Sequence, residues 1–178
     1  LRQNREESLT SYNYGFGEKL ETAESSIDLD IKGETAETLS VQLKSCNAVT
    51  RNGFHILFTK ELYGDFIPEC TLNGVDIDLS ARQVLCILLT VNPYKMLPVG
   101  IPDPETTPLH HPYVLPEITI QLVLEQNLNK AFLEGNSIIA GKIIVDGGAF
   151  TTDIDYIPAI QRIDCSEKAI TFLEYMTT

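Results

Sequence analysis

The chain has 178 residues, 43% of them hydrophobic and 21% charged, which suits one domain with a single sizeable core and does not suit a disordered chain. Thirteen basic residues against 25 acidic ones give a net charge of −12, with no Lys/Arg cluster to offset it, so nucleic acid is not expected as a partner. No apolar run approaches the ~20 residues that cross a bilayer, and no membrane insertion is expected.

In chain order, Leu1 to Leu9 is polar and charged, and reads as the tail of a helix or a linker. Thr10 to Gly17 is turn-rich and carries Tyr12, Tyr14 and Phe16. Strands follow. Ile27, Leu29 and Ile31 alternate with Asp28 and Asp30; Leu39, Val41 and Leu43 alternate with Ser40, Gln42 and Lys44. A period of two marks half-buried strands. Asn52-Gly53 tolerates positive φ, and the chain returns through Phe54, Ile56 and Phe58, which predicts a hairpin. Leu72-Asn73-Gly74-Val75 is a second such turn, ahead of Ile77 and Leu79 alternating with Asp76 and Asp78. Gln83 to Val91 is apolar on both faces and should be a central strand.

Seven of the nine prolines fall between Asn92 and Pro116. Proline has no N–H for a ladder, so a long ordered loop or edge is expected there. Leu97, Val99, Ile101 and Tyr113 supply it with apolar side chains. They either pack over the chain's own core or form an interface loop against another subunit.

Alternation resumes at Ile118, Ile120, Leu122 and Leu124. Asn127 to Gly135 fits a short helix stopped by Gly135. Ile138-Ile139-Ala140 and Ile143-Ile144-Val145 read as strands around Gly141, closed by Asp146-Gly147-Gly148. Ser166 is a suitable N-cap, with Glu167 in the first turn. Ala169, Ile170, Leu173 and Met176 then follow at helical spacing. An amphipathic helix of this kind needs a partner, in a longer parent protein or another subunit. The expected fold is mainly β, an antiparallel β-sandwich of roughly eight to ten strands over 1–165, followed by the start of a C-terminal helix over 166–178.

Little in the chain suggests catalysis. The acid pairs Asp28/Asp30, Asp76/Asp78 and Asp153/Asp155 could each present two carboxylates to calcium, but alternation also puts them on solvated faces. Adjacent His110-His111 on a proline-flanked loop suits loop packing better than a metal. There is no nucleophile elbow, phosphate-binding glycine loop or metal-binding helix motif. No enzymatic activity, cofactor or metal is expected. Cys46, Cys70, Cys86 and Cys165 form no Cys-x-x-Cys pair, and read as reduced thiols of a cytoplasmic protein. A second reading is a carbohydrate- or surface-binding sandwich, calcium-dependent through an acid pair.

Several segments, in this order and spacing, resemble one family: Leu9-Thr10 with Asn13-Tyr14-Gly15; Cys46-Asn47-Ala48-Val49-Thr50 with Gly53-Phe54-His55-Ile56; Pro108 through Pro116 ahead of Ile118 to Leu124; and Asp155-Tyr156-Ile157-Pro158 ahead of the terminal helix. Together they resemble the N-terminal part of TssK, the baseplate component of type VI secretion systems, in its divergent Bacteroidetes form. The resemblance implies a β-sandwich shell similar to the shoulder domain of phage receptor-binding proteins. It further implies a non-catalytic homotrimer that joins the other baseplate subunits, the wedge, through this region. A helical trunk would begin where the chain stops, with further chain before Leu1. In that frame Ala169, Ile170, Leu173 and Met176 become the trunk's subunit interface.

Overall fold

The computed structural model describes residues 14–21, 23–35, 38–74, 77–78, 81–108, 110–129 and 135–177. The readings of Leu1 to Asn13, of Val75, Asp76 and Leu79, and of the helix across 130–134 lie outside these residues. Asn127, where that helix would begin, is the last residue of a single 3-10 turn, Glu125–Asn127.

Two antiparallel sheets build the molecule. The first contains β1 (Gly15–Phe16), β2 (Ile27–Thr35), β3 (Thr38–Val49), β4 (His55–Phe58) and β5 (Glu69–Asn73). β3 is its axis. β2 pairs along most of one side of β3, with β1 beyond it at Ala48 and Val49, while β4 and β5 divide the other side. A short helix, α1 (Lys60–Tyr63), links β4 to β5, with Thr59 capping it through Leu62 N–H. The second sheet runs β7 (Tyr113–Leu124), β6 (Gln83–Val99), β8 (Ser137–Asp146) and β9 (Ala149–Thr152) in that spatial order. α2 (Glu167–Thr177) ends the chain.

The alternation is broken where the backbone bulges. On β3 the buried apolar side chains are Leu39, Val41 and Leu43, then Cys46 and Ala48. Asp28 pairs with Ser45 but Leu29 pairs with Leu43, so Lys44 has no partner and the inward parity changes. β8 repeats the device. Ile87 pairs with Gly141 and Leu88 with Ile139, so the inward set moves from Ile138 and Ala140 to Ile143 and Val145. One bulge therefore joins into a single strand what the sequence suggests are two. The hairpin at Asn52-Gly53 forms as expected, with Gly53 alone at positive φ.

The proline-rich segment takes both expected forms, edge and loop. β6 extends to Val99 and β7 starts at Tyr113, pairing Leu97 with Leu115 and Val99 with Tyr113. Only about half of the expected loop is loop. Its prolines are accommodated because β7 is an edge strand, because β8 covers β6 only as far as Thr90, and because Pro93 sits in the irregularity between Asn92 and Met96.

Between the sheets lies one core: Phe16, Leu39, Leu43, Ile56, Phe58, Leu85, Ile87, Leu89, Ile118 and Ile143 are fully buried. At the β5–β7 margin Tyr63 seals the gap. Its ring lies 5.0 Å from Phe58 and 5.9 Å from Phe66, and its hydroxyl donates to the Pro116 carbonyl at 2.8 Å. All four cysteines are free, Cys46 and Cys86 buried, Cys70 and Cys165 half-buried.

Candidate functional site

Three of the segments singled out in the sequence converge at one end of the sandwich, where the chain leaves for α2. β1 is held on both sides. Gly15 and Phe16 pair with Val49 and Ala48, while Phe16 N–H donates to the Ala159 carbonyl at 2.8 Å and Gln161 N–H to the Phe16 carbonyl at 2.9 Å. Gly15 is required by this close approach. Its φ is +127°, and a Cβ there would stand 2.7 Å from the Ala159 oxygen. Asn47 ties in the neighbouring strands, giving its Nδ2 to the Glu18 carbonyl and meeting His55 Nε2 through Oδ1, both at 2.8 Å. Arg51 reaches Tyr14, both as a 2.8 Å hydrogen bond and with its guanidinium 4.5 Å above the ring.

An ionic clamp finishes the exit. Arg162 meets Asp164 at 2.7 Å and Glu18 at 2.8 Å. Its guanidinium holds the Asp164 carboxyl below the usual carboxylate range, and Asp164 with Glu18 pushes the Arg162 pKa up in return. These groups are solvent-exposed, so they orient the segment more than they stabilise it. Lys142, on β8, pairs with Glu125 at 2.6 Å and stands 5.0 Å from the Tyr156 ring centre. The bond to Glu125 raises the lysine pKa, and burial pushes the Tyr156 phenol up to about 12.

The helix that emerges from this anchor has no buried residue. Ser166 caps it as expected, accepting at Oγ from Ala169 N–H at 3.4 Å and at its carbonyl from Ile170 N–H at 3.1 Å. Of the four residues expected on one apolar face, Ala169 and Ile170 are the most covered, while Leu173 is 47% and Met176 68% exposed. Phe172, 59% exposed, was missed. Its signal was available, because Ala169, Phe172, Leu173 and Met176 stand at i, i+3, i+4 and i+7. Ile170 falls beside that stripe and faces a cleft instead.

The cleft, about 830 Å³, opens between β2 and β8 beneath the start of α2. Ile27, Leu29 and Ile31 form one wall, Ile160 and Ile170 another, and Ile87 is reached past the small residues Ala140 and Gly141. Sequence reasoning placed Ile27, Leu29 and Ile31 inward, and did not see that small residues, Ala140 and Gly141, stand opposite them.

The four residues of the expected interface loop separate. Leu97 and Val99 pack on the core, whereas Tyr113 is exposed and Ile101 is 90% exposed in the connection. His111 serves the loop itself, Nδ1 meeting the Gly100 carbonyl at 3.0 Å. One carboxylate in each of two acid pairs is drawn into a local contact: Asp30 binds Lys32 at 2.9 Å, and Asp153 Oδ1 accepts from Asp155 N–H at 3.1 Å. Among the described residues no group of three or more His, Cys, Asp or Glu side chains is placed to hold a metal ion, and no helix is long and apolar enough to cross a membrane.

No family model matches the chain, and no curated protein matches it by sequence. Its fold, however, is that of TssK. A crystal structure of TssK superposes with a TM-score of 0.54 at 14% identity, covering 98% of this chain and 40% of that one. A structure of TssK from the T6SS of EAEC, in complex with nanobody nb18, superposes with a TM-score of 0.50 at 16% identity, covering 94% of this chain and 54% of that one. The chain thus spans about half the length of these TssK chains or less, and at such identities the likeness is one of fold.

Proposed function

We propose that this chain is a non-catalytic structural subunit of a contractile injection machine, the β-sandwich domain of a TssK-like type VI secretion baseplate protein. The observation that carries the reading is α2. It leaves an anchored exit with Phe172, Leu173 and Met176 uncovered on one face, on a domain whose fold matches TssK over nearly its whole length. A helix with an uncovered apolar stripe gains most of its stability from what it packs against. In this reading the stripe forms a homotrimeric trunk, the sandwich meets the other baseplate subunits, and the protein works in the cytoplasm. No step of this role calls for a cofactor.

Affinity purification of the tagged full-length protein from its native cells, followed by mass spectrometry, tests the reading. Co-purification of baseplate and sheath proteins is the expected result. A partnerless protein whose melting temperature rises with calcium would favour the calcium-dependent surface-binding alternative, since a ligand specific for the folded state must stabilise it.

A further inference from the structure

We propose that the cleft between β2 and β8 receives one extended segment of another protein, which adds as a strand to the outer edge of β2 and carries apolar side chains alternating with Lys or Arg. The proposal depends on the assembly role only in taking a protein as the occupant, and the stripe of α2 has no part in it.

Backbone, shape and charge support it independently. Among the described residues β3 is the only strand paired with β2, so alternate N–H and C=O groups of β2 point away from the sheet. Ser25 Oγ already donates to the Ile27 carbonyl, so pairing would start beyond it. Edges of this kind take up extended segments by strand addition, with side-chain pockets at every second position setting the choice. Here those pockets exist. Ile27, Leu29 and Ile31 lie only half-buried on the inward face, over a floor of Ile87 and Ala140. Gly141 keeps that floor low, since a Cβ there would already touch Ile87 Cδ1 at 3.4 Å. The cleft volume of about 830 Å³ is of the size that encloses several side chains.

Charge selects the outward positions of the occupant. Six carboxylates and four cations line the cleft; Arg162 engages Glu18 and Asp164, and Lys142 engages Glu125 outside it, which leaves Glu24, Asp28, Asp153 and Glu167 against Lys19 and Lys168. On the outward face of β2, Asp30 is held by Lys32, while Asp28 makes no ion pair among the described residues. A strand laid beside β2 would bring its own outward side chains opposite these acids, where opposite charges attract and like charges repel. Lys or Arg alternating with apolar residues meets both demands. The net charge of −12 would also speed the approach of such a segment.

The test uses the 178-residue chain and a labelled seven-residue peptide, Lys-Ile-Lys-Val-Lys-Ile-Lys, read by fluorescence anisotropy. Binding is expected, with amide shift changes centred on Asp28 to Ile31. A peptide of the same composition with the alternation broken, and one N-methylated on the edge that would pair, should each bind about tenfold more weakly. Asp28→Lys should weaken binding by a similar factor without lowering the melting temperature, and should favour the peptide with Glu in place of Lys. Leu173→Asp should leave binding unchanged, which separates this site from the helix. Absence of binding, equal binding of the rearranged or N-methylated peptide, or indifference to Asp28→Lys would each overturn the proposal.

Discussion

The two margins of the sandwich are made from the same kinds of residue and end differently. At the β5–β7 margin, Tyr63 from α1 fills the gap, its ring tilted against Phe58 and Phe66 and its hydroxyl bonded to Pro116. At the β2–β8 margin Ile27, Leu29 and Ile31 also point inward, but small residues lie opposite and a cleft remains. Alternation in a sequence tells which face a side chain takes. Whether anything fills the space beside that face depends on which residues the other sheet sets opposite it.

Paired truncations give the largest separation between the margins. Phe58→Ala, at a fully buried ring, should cost about 3–5 kcal/mol in urea unfolding. Leu29→Ala, at a half-buried side chain, should cost well under half as much. Equal costs would mean that the cleft is closed in solution. Next is Gly15→Ala, where a positive φ and a 2.7 Å approach to Ala159 predict a loss of about 1–3 kcal/mol. The amides of Phe16 and Gln161 should exchange faster, while those of β6 should not. Uniform loss of protection would show that the exit is not a separate unit.

Tyr63→Phe keeps the ring and leaves the Pro116 carbonyl without its donor, for about 1 kcal/mol. The variant also carries a signature in pH. Burial pushes the Tyr63 phenol from 10.0 up to about 12, so the folded state keeps a proton that the unfolded chain releases first. Its contribution is complete below pH 10 and is lost as pH rises from 10 through 12. Tyr63→Phe should therefore flatten the alkaline fall in stability. An unchanged alkaline slope would place the titration elsewhere, for instance at Tyr156, which burial pushes up equally far. The smallest effect is expected from Arg162→Ala. Its partners are exposed, so the melting temperature should drop slightly in dilute buffer and not at all in 1 M salt, where screening acts within ~3 Å. A salt-independent drop would argue for packing rather than charge.

Much of this fold was legible because alternation and turn residues act locally. Asn52-Gly53, the buried strand beginning at Gln83 and the Ser166 cap are decided by neighbours in the chain. The bulges at Lys44 and Ala140 were harder to see, since an unpaired residue is defined by the partner strand. Prolines left loop and edge undecided in one stretch: Pro98 and Pro116 lie within strands because each has an open side, and an edge is a property of the sheet. At the candidate site, Leu173 and Met176 were readable from helical spacing, and so was Phe172. The cleft was not, because its emptiness depends on the small side chains of Ala140 and Gly141 standing opposite β2.

The central claim is that the exposed stripe of α2 is a subunit interface, and the molecular mass of the full-length protein in solution tests it most directly. Light scattering should give the mass of three chains for the wild type. Phe172→Asp, Leu173→Asp and Met176→Asp should each reduce it, with the β-rich circular dichroism spectrum retained. A trimer mass unchanged by all three substitutions, or a wild type that is already a single chain, would contradict the account.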